Sequence, residues 1–191
     1  MRSRMLFLAL ICGAGLWGQE TLPSPTLQGA IHGRFVQSKT LRRLDKALLS
    51  DGSFALLPGR GLVWRTESPV RATVVVSSKG VFEVGATGRR RLTSGSDALT
   101  LMRQLLTGDV KALKRTFTLR QEGGARSWRL VLAPRPGPLA GVFRSIETEG
   151  TDYARRARLV ESSGDESVID FKDLERGPGL LSPDEEALLG P

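Results

Sequence analysis

Short apolar runs recur along this chain with a period of two, and glycine-containing turns cut them off before any could become a helix. Ser53 to Leu57, Leu62 to Thr66 and Ala72 to Ser77 are rich in Val, Leu, Phe and Trp. Asp51-Gly52, Pro58-Gly59-Arg60-Gly61, Lys79-Gly80 and Thr87-Gly88 punctuate them. Brief segments of alternating character between turn signals build antiparallel sheets, because each strand must show one apolar face to a core and one polar face to water. Lys79-Gly80 joins Val74-Val75-Val76 to Val81-Phe82-Glu83-Val84 as a hairpin. Phe35 to Leu41 alternates imperfectly and is an earlier strand; Thr26 to Ile31 before it reads as a short helix capped by Thr26.

The period changes once. Between Ser96 and Leu106, apolar residues stand at Ala98, Leu99, Leu101, Met102, Leu105 and Leu106, close to the helical repeat. Ser96 or Asp97 is the cap and Gly108 the stop, with a further helical turn over Asp109 to Lys114. Strands then resume. Arg115 to Gln121 and Ser127 to Ala133 pair across Glu122-Gly123-Gly124-Ala125, with Trp128, Leu130 and Leu132 on one face. Val142 to Glu149, Ala154 to Glu161 and Glu166 to Phe171 make three more. The fold class is mainly β, with one helical interruption.

The chain has 191 residues, the length of one domain. Residues 1–18, MRSRMLFLALICGAGLWG, read as a secretory signal peptide: Arg2 and Arg4, an apolar run from Met5 to Ile11, then small residues. Ile11 before Cys12 is too bulky for a lipidation signal. Cleavage would remove the only Cys, so the exported domain, residues 19–176, would hold no disulfide and no thiol nucleophile. Residues 177–191 read as a flexible acidic tail, with a short helix at Asp184 to Leu189 as an alternative.

Catalytic chemistry finds little support. His32 is the sole histidine, and no Gly-x-Ser-x-Gly elbow occurs. One Cys and one His do not supply a zinc site. Pro58-Gly59-Arg60-Gly61 lacks the Lys-Ser/Thr of a phosphate loop. Glu147/Glu149 and Asp170/Asp173 have acid–base chemistry, but Glu147/Glu149 also fit the outer face of a strand. Arg89-Arg90-Arg91 fits a solvated turn better than a phosphate contact. The expectation is a protein that is not an enzyme and uses no cofactor or metal.

Several pieces, in order, resemble the periplasmic outer-membrane lipoprotein carrier family, LolA and its LolA-like relatives. They are Phe35-x-Gln37-x-Lys39; Leu48-Leu49-Ser50-x-Gly52-x-Phe54; Gly61-Leu62-Val63-Trp64 with Pro69 downstream; Leu105-Leu106-x-Gly108-Asp109 then Phe117; Trp128-x-Leu130-x-Leu132-x-Pro134 with Ile146 and Gly150; and Glu161-x-x-Gly164-Asp165 with Ile169-x-Phe171. The resemblance implies an unclosed antiparallel β-barrel of about ten or eleven strands, with helices across its mouth as a lid. It implies a monomeric carrier of acylated lipoprotein or other lipid cargo, which meets an inner-membrane transporter, an outer-membrane receptor and, transiently, the membrane. Aligned on Trp64, Pro58 stands where family carriers hold an Arg that bonds to the lid. Arg60 is therefore the candidate for a lid or headgroup contact.

A lipid carrier needs an apolar concavity and no reactive group. The expected cavity wall is Phe54, Leu56, Leu62, Trp64, Val74, Val76, Phe82, Val84, Trp128, Leu130 and Leu132, covered by Leu101, Met102 and Leu105 of the helix. Every one of these also suits ordinary core packing. The other class of function open to this sequence is a structural or adaptor protein of an envelope complex, with a filled barrel.

Charge completes the reading. The net charge of +8 would suit nucleic acid or an anionic surface, and export disfavours nucleic acid. Residues 161–191 carry nine acids and two bases, whereas residues 19–160 carry 24 bases and 11 acids. A basic barrel with an acidic end points to docking on anionic lipid or an acidic partner.

Overall fold

In the computed structural model, residues 29–93, 96–124 and 126–190 are described. The expected signal peptide, Cys12 and the first part of the short helix at residues 26–31 lie outside them. Ala30 and Ile31 are already in a strand, which corrects the helix there.

Eleven strands form one antiparallel sheet, consecutive in space except at one junction. These are β1 (Ala30–Thr40), β2 (Leu48–Leu57), β3 (Gly61–Ser68), β4 (Ala72–Ser77), β5 (Gly80–Gly85), β6 (Gly88–Arg91), β7 (Phe117–Gly124), β8 (Ser127–Pro134), β9 (Phe143–Gly150), β10 (Ala154–Glu161) and β11 (Glu166–Gly177). The order is β6-β5-β4-β3-β2-β1-β11-β10-β9-β8-β7, so β1 and β11 meet at the centre while β6 and β7 are free edges. The barrel is therefore unclosed.

The chain between those edges is helical: α1 (Ser96–Thr107) and α2 (Val110–Thr116) lead from β6 across to β7. Gly108, at φ +63°, ends α1 with its N–H on the Leu105 carbonyl, 3.2 Å away. The Asp109 side chain then accepts the Ala112 N–H at 2.9 Å and caps α2. Two further helices are short, α3 (Pro138–Val142) and α4 (Pro183–Leu189).

One buried apolar cluster draws side chains from every strand except β6, together with Leu101, Met102, Leu105 and Leu106 of α1 and Leu113 of α2. A single cluster can reach ten strands only if the sheet curls around it. The helix pair fills the hollow of that curl. Leu62 and Leu132, on opposite halves of the sheet, are both 0% exposed. At the centre the Trp64 ring stacks on Phe35, with centroids 3.9 Å apart, and Phe171 meets Trp64 and Phe54 edge-on. Gly33 leaves room for this: a Cβ there would come within 3.0 Å of the Phe54 ring.

The outer face carries a second, smaller cluster. Ala30, Ala55, Val63 and Val75 pack under Leu181 and Leu189. The expected loose tail is thus corrected for residues 177–190, because α4 seats on β3 and β4. Arg65 reaches Asp184 at 2.6 Å and Glu185 at 2.5 Å, and Arg89 donates to the Leu188 carbonyl at 2.8 Å. Ser182 and Glu185 form a capping box. The alternative reading of a short helix at Asp184 to Leu189 is the one found, with Leu189 on the side of this two-turn helix that is buried.

Hairpin register corrects two expected cavity residues. Ser77 pairs with Gly80, so Val76 faces Val81 and Val75 faces Phe82. Strand parity then sends Val81 and Glu83 inward and Phe82 and Val84 outward. Val84 packs with the outer cluster, and Arg91 lies over the Phe82 ring, 5.6 Å from its centroid. The arginine run is not a turn but β6, with Arg90 inward against Glu83, and Arg89 and Arg91 outward.

Two outcomes follow from this packing. Gly33→Val should lower stability by about 1–3 kcal/mol by overpacking against Phe54, read by chemical denaturation; an unchanged midpoint would contradict the tight contact. Glu185 provides the second. Burial alone would raise its pKa, but hydrogen bonds from Ser182 and the Arg65 guanidinium outweigh burial and hold it below the usual carboxylate range. A depressed folded-state pKa adds stability above the unfolded value, and that stability is lost as pH falls through the folded one. Acidification through the carboxylate range should therefore weaken α4 docking, and Glu185→Gln should flatten that part of the pH–stability curve.

Candidate functional site

The hollow is not filled along its whole length. Beneath the N-terminal half of α1 a cavity of about 510 Å³ remains open. Its apolar wall is Trp64 of β3, Leu159 of β10, Ile169 of β11, Phe143 of β9, and Ala98, Leu99 and Met102 of α1. Its polar lining is Gln37, Lys39, Thr93, Asp97, Glu161 and Ser167. Register explains why β1 changes character along this face. Phe35, Gln37 and Lys39 point the same way, and the first is core while the last two line the opening. Lys39 Nζ donates to Glu161 Oε1 at 2.8 Å, which ties β1 to the end of β10.

A volume of this order falls in the range of about 300–1,000 Å³ that holds one small ligand. The geometry is that of an amphiphile site: an apolar floor within the sheet, and charged and hydroxyl groups where the strands run out. Met102 suits an irregular ligand, because its unbranched side chain deforms easily.

Of the expected wall residues, Trp64 and Met102 line this cavity. Phe54, Leu56, Leu62, Val76, Leu101, Leu105, Leu130 and Leu132 lie in the surrounding buried cluster, with Val74 and Trp128 packed against it. Trp128 sits at the opposite end of the sheet, where its Nε1 donates to the Thr151 carbonyl and it borders a separate surface pocket with Glu122, Arg129 and Arg155. Arg60 is in the β2–β3 turn, away from the cavity. Its Nε is buried without a hydrogen-bond partner among the described residues. Sequence reasoning missed Leu159, Ile169 and Phe143. Their alternation was visible, but which face of each strand turned inward was not.

The titratable residues weighed for catalysis lie elsewhere. His32 is on the outer face, 3.6 Å from Glu185. Glu147 is also outside, between Arg129 at 2.7 Å and Arg158 at 4.0 Å, and Asp170 pairs with Arg156 at 3.5 Å. No group of three or more His, Cys, Asp or Glu among the described residues is placed to hold a metal. No described helix is long and apolar enough to cross a membrane.

No family model matches the chain, and no curated protein matches it. Solved structures similar to it include the LolA superfamily protein NE2245 from Nitrosomonas europaea. That protein is 11% identical, with 82% of this chain and 89% of that chain covered and a TM-score of 0.47. The MucA/MucB complex of Pseudomonas aeruginosa matches at 17% identity over 86% of this chain, with a TM-score of 0.49. This chain spans 58% of that one. A Vibrio parahaemolyticus domain described as outer membrane lipoprotein-sorting matches at 10% identity, over 85% of this chain and 92% of that one, with a TM-score of 0.38. The neighbours thus include the superfamily that the strand motifs resemble, and nothing about cargo or partners passes from them to this chain.

Filling the opening tests its role as a site. Ala98→Trp should reduce uptake of a fluorescent fatty acid about tenfold or more through lost burial of the chain, while Ser78→Trp in the distant β4–β5 turn should not. Equal uptake by both variants would count against this cavity.

Proposed function

We propose that this protein is a periplasmic, non-enzymatic carrier that shelters the acyl part of a lipoprotein or another lipid and moves it from the inner to the outer membrane. The observation that carries this reading is the cavity beneath α1, lined by Trp64, Met102, Phe143, Leu159 and Ile169 and rimmed by Lys39, Glu161 and Ser167. Burying about twelve methylenes there would contribute on the order of 10 kcal/mol before ordering costs. That is enough to hold a lipid in water and little enough for a receptor to take it back. The signal peptide expected at residues 1–18 would deliver the chain to that compartment as a monomer. Cargo would come from an inner-membrane transporter and pass to an outer-membrane receptor.

The lid in this reading is α1 with α2. They are attached only through β6 and β7, the two edges of the sheet, so they can shift without breaking the strand ladder. Arg60, the expected lid or headgroup contact, sits in the β2–β3 turn at the end of the sheet away from the cavity mouth, so in this reading it does not meet the headgroup of a lipid held there.

One observation favours a second reading, an adaptor in an envelope complex. Over the last turns of α1 the hollow is closed by side chains: Leu105 and Leu106 are buried in the same cluster as Leu62 and Leu132. Native mass spectrometry of protein purified from its own envelope separates the two. Co-purified lipid that is lost on denaturation is expected of the carrier. Protein free of lipid that also takes up no fluorescent fatty acid would sink the carrier and leave the adaptor.

A further inference from the structure

The apolar side chains left in water are not scattered. Among the described residues the exposed large hydrophobics are Val36, Leu44, Leu48, Leu49, Val70 and Val142. Antiparallel topology places all but Val36 at one end of the sheet. Leu44 is in the loop that leaves β1 at Thr40, and Leu48 and Leu49 open β2. Val70 is in the turn between β3 and β4, and Val142 ends α3, just before β9. The cavity opens at this same end, through Lys39, Glu161 and Val142.

The β1–β2 hairpin carries three of these five side chains. Leu44, Leu48 and Leu49 are 49%, 51% and 66% exposed. β3 pairs with β2 only from Asp51 onward, so Leu48, Leu49 and Ser50 reach beyond the sheet on that side. Arg42, Arg43 and Lys46 alternate with these leucines, and Arg71 stands beside Val70. Asp45 and Asp165 offset part of this charge, and Asp165 accepts the Arg42 backbone N–H at 2.9 Å, which holds the base of the loop.

The parity of the leucines identifies what covers them. Leu48 is opposite Lys39 and shares its inward face, whereas Leu49 is opposite Ser38 and faces outward. Leucines on both faces of one ribbon, with another in the loop, are not covered together by a groove that grips one face. A surrounding apolar medium covers all three. Basic residues between them complement an anionic surface at the depth where the leucines enter it.

We propose that the Leu41–Leu49 hairpin end dips into an anionic lipid surface, so that the cavity mouth at Lys39 and Glu161 faces the headgroups. The carrier reading supplies the purpose of this contact, but the contact itself rests on the hairpin alone.

The test places an environment-sensitive nitrobenzoxadiazole label at Leu44→Cys, in a Cys12→Ser background, on the full chain. Labelled Ser78→Cys, in the β4–β5 turn at the opposite end, is the control. The apolar run at residues 5–11 gives the full chain its own affinity for vesicles, so the readout must be local to the loop. With vesicles of phosphatidylglycerol and phosphatidylcholine, the label at position 44 should brighten and shift to the blue, and the label at 78 should not. Leu48→Ser with Leu49→Ser should weaken that response about tenfold, without changing the melting temperature, because both side chains are already half exposed or more. Arg42→Gln with Arg43→Gln should weaken it and reduce its dependence on salt. A label at 44 that stays in water while the protein sediments with vesicles would overturn the proposal, as would quenching only by an added protein partner. Docking without fatty-acid uptake would keep this inference and remove the carrier; uptake with a water-exposed loop would do the reverse.

Discussion

An open sheet that curls has an apolar inner face, and something must cover it. Here the α1–α2 crossover does so, and the rest of the molecule depends on that contact. The leucines of α1 close the hollow against Leu62 and Leu132, on opposite halves of the sheet, and thereby set how far the sheet curls. Because the crossover joins the two edge strands, the cover is tied covalently at both sides of the opening and held between them by side-chain packing alone. The same geometry leaves the N-terminal half of α1 without enough side-chain volume beneath it, and the cavity is the remainder.

The outer face divides into two regimes. On β8 to β11 it is a lattice of ion pairs such as Arg129–Glu147 and Arg158–Glu166, which water serves as well as any neighbour. On β2 to β4 it is apolar, and α4 covers it, held by Arg65 and Arg89. The acidic C-terminal segment and the basic barrel, opposed in the charge count, therefore meet in part within the folded chain. What stays uncompensated is local, and the hairpin end bearing Arg42, Arg43 and Lys46 is one such place.

Much of the fold was legible because strand and helix periods are local properties. Ala72–Ser77 and Ala154–Glu161 match their expected bounds, and the single helical repeat fell where α1 is found. The family resemblance rested on the order and spacing of short motifs such as Gly61-Leu62-Val63-Trp64. The site was less legible. Trp64 and Met102 could be placed in the cavity by their position on a strand face and a helix face. Phe82 and Val84 could not, because a hairpin that closes on Ser78-Lys79 reverses the face expected from the run of apolar residues. The short C-terminal helix was visible as an alternative at Asp184 to Leu189, but its docking on β3 and β4 was not, because that depends on the apolar outer face of strands far away in the chain.

The sequence by itself determined most of the elements, the turns between them and the charge imbalance, since each is set by neighbours within a few residues. Only the tertiary structure decided which face of each strand turned inward, where the hollow stayed open and which leucines remained in water. Those outcomes depend on register between strands and on the volume trapped under α1. Both arise from contacts between residues far apart in the chain, where a shift of one position exchanges inside for outside.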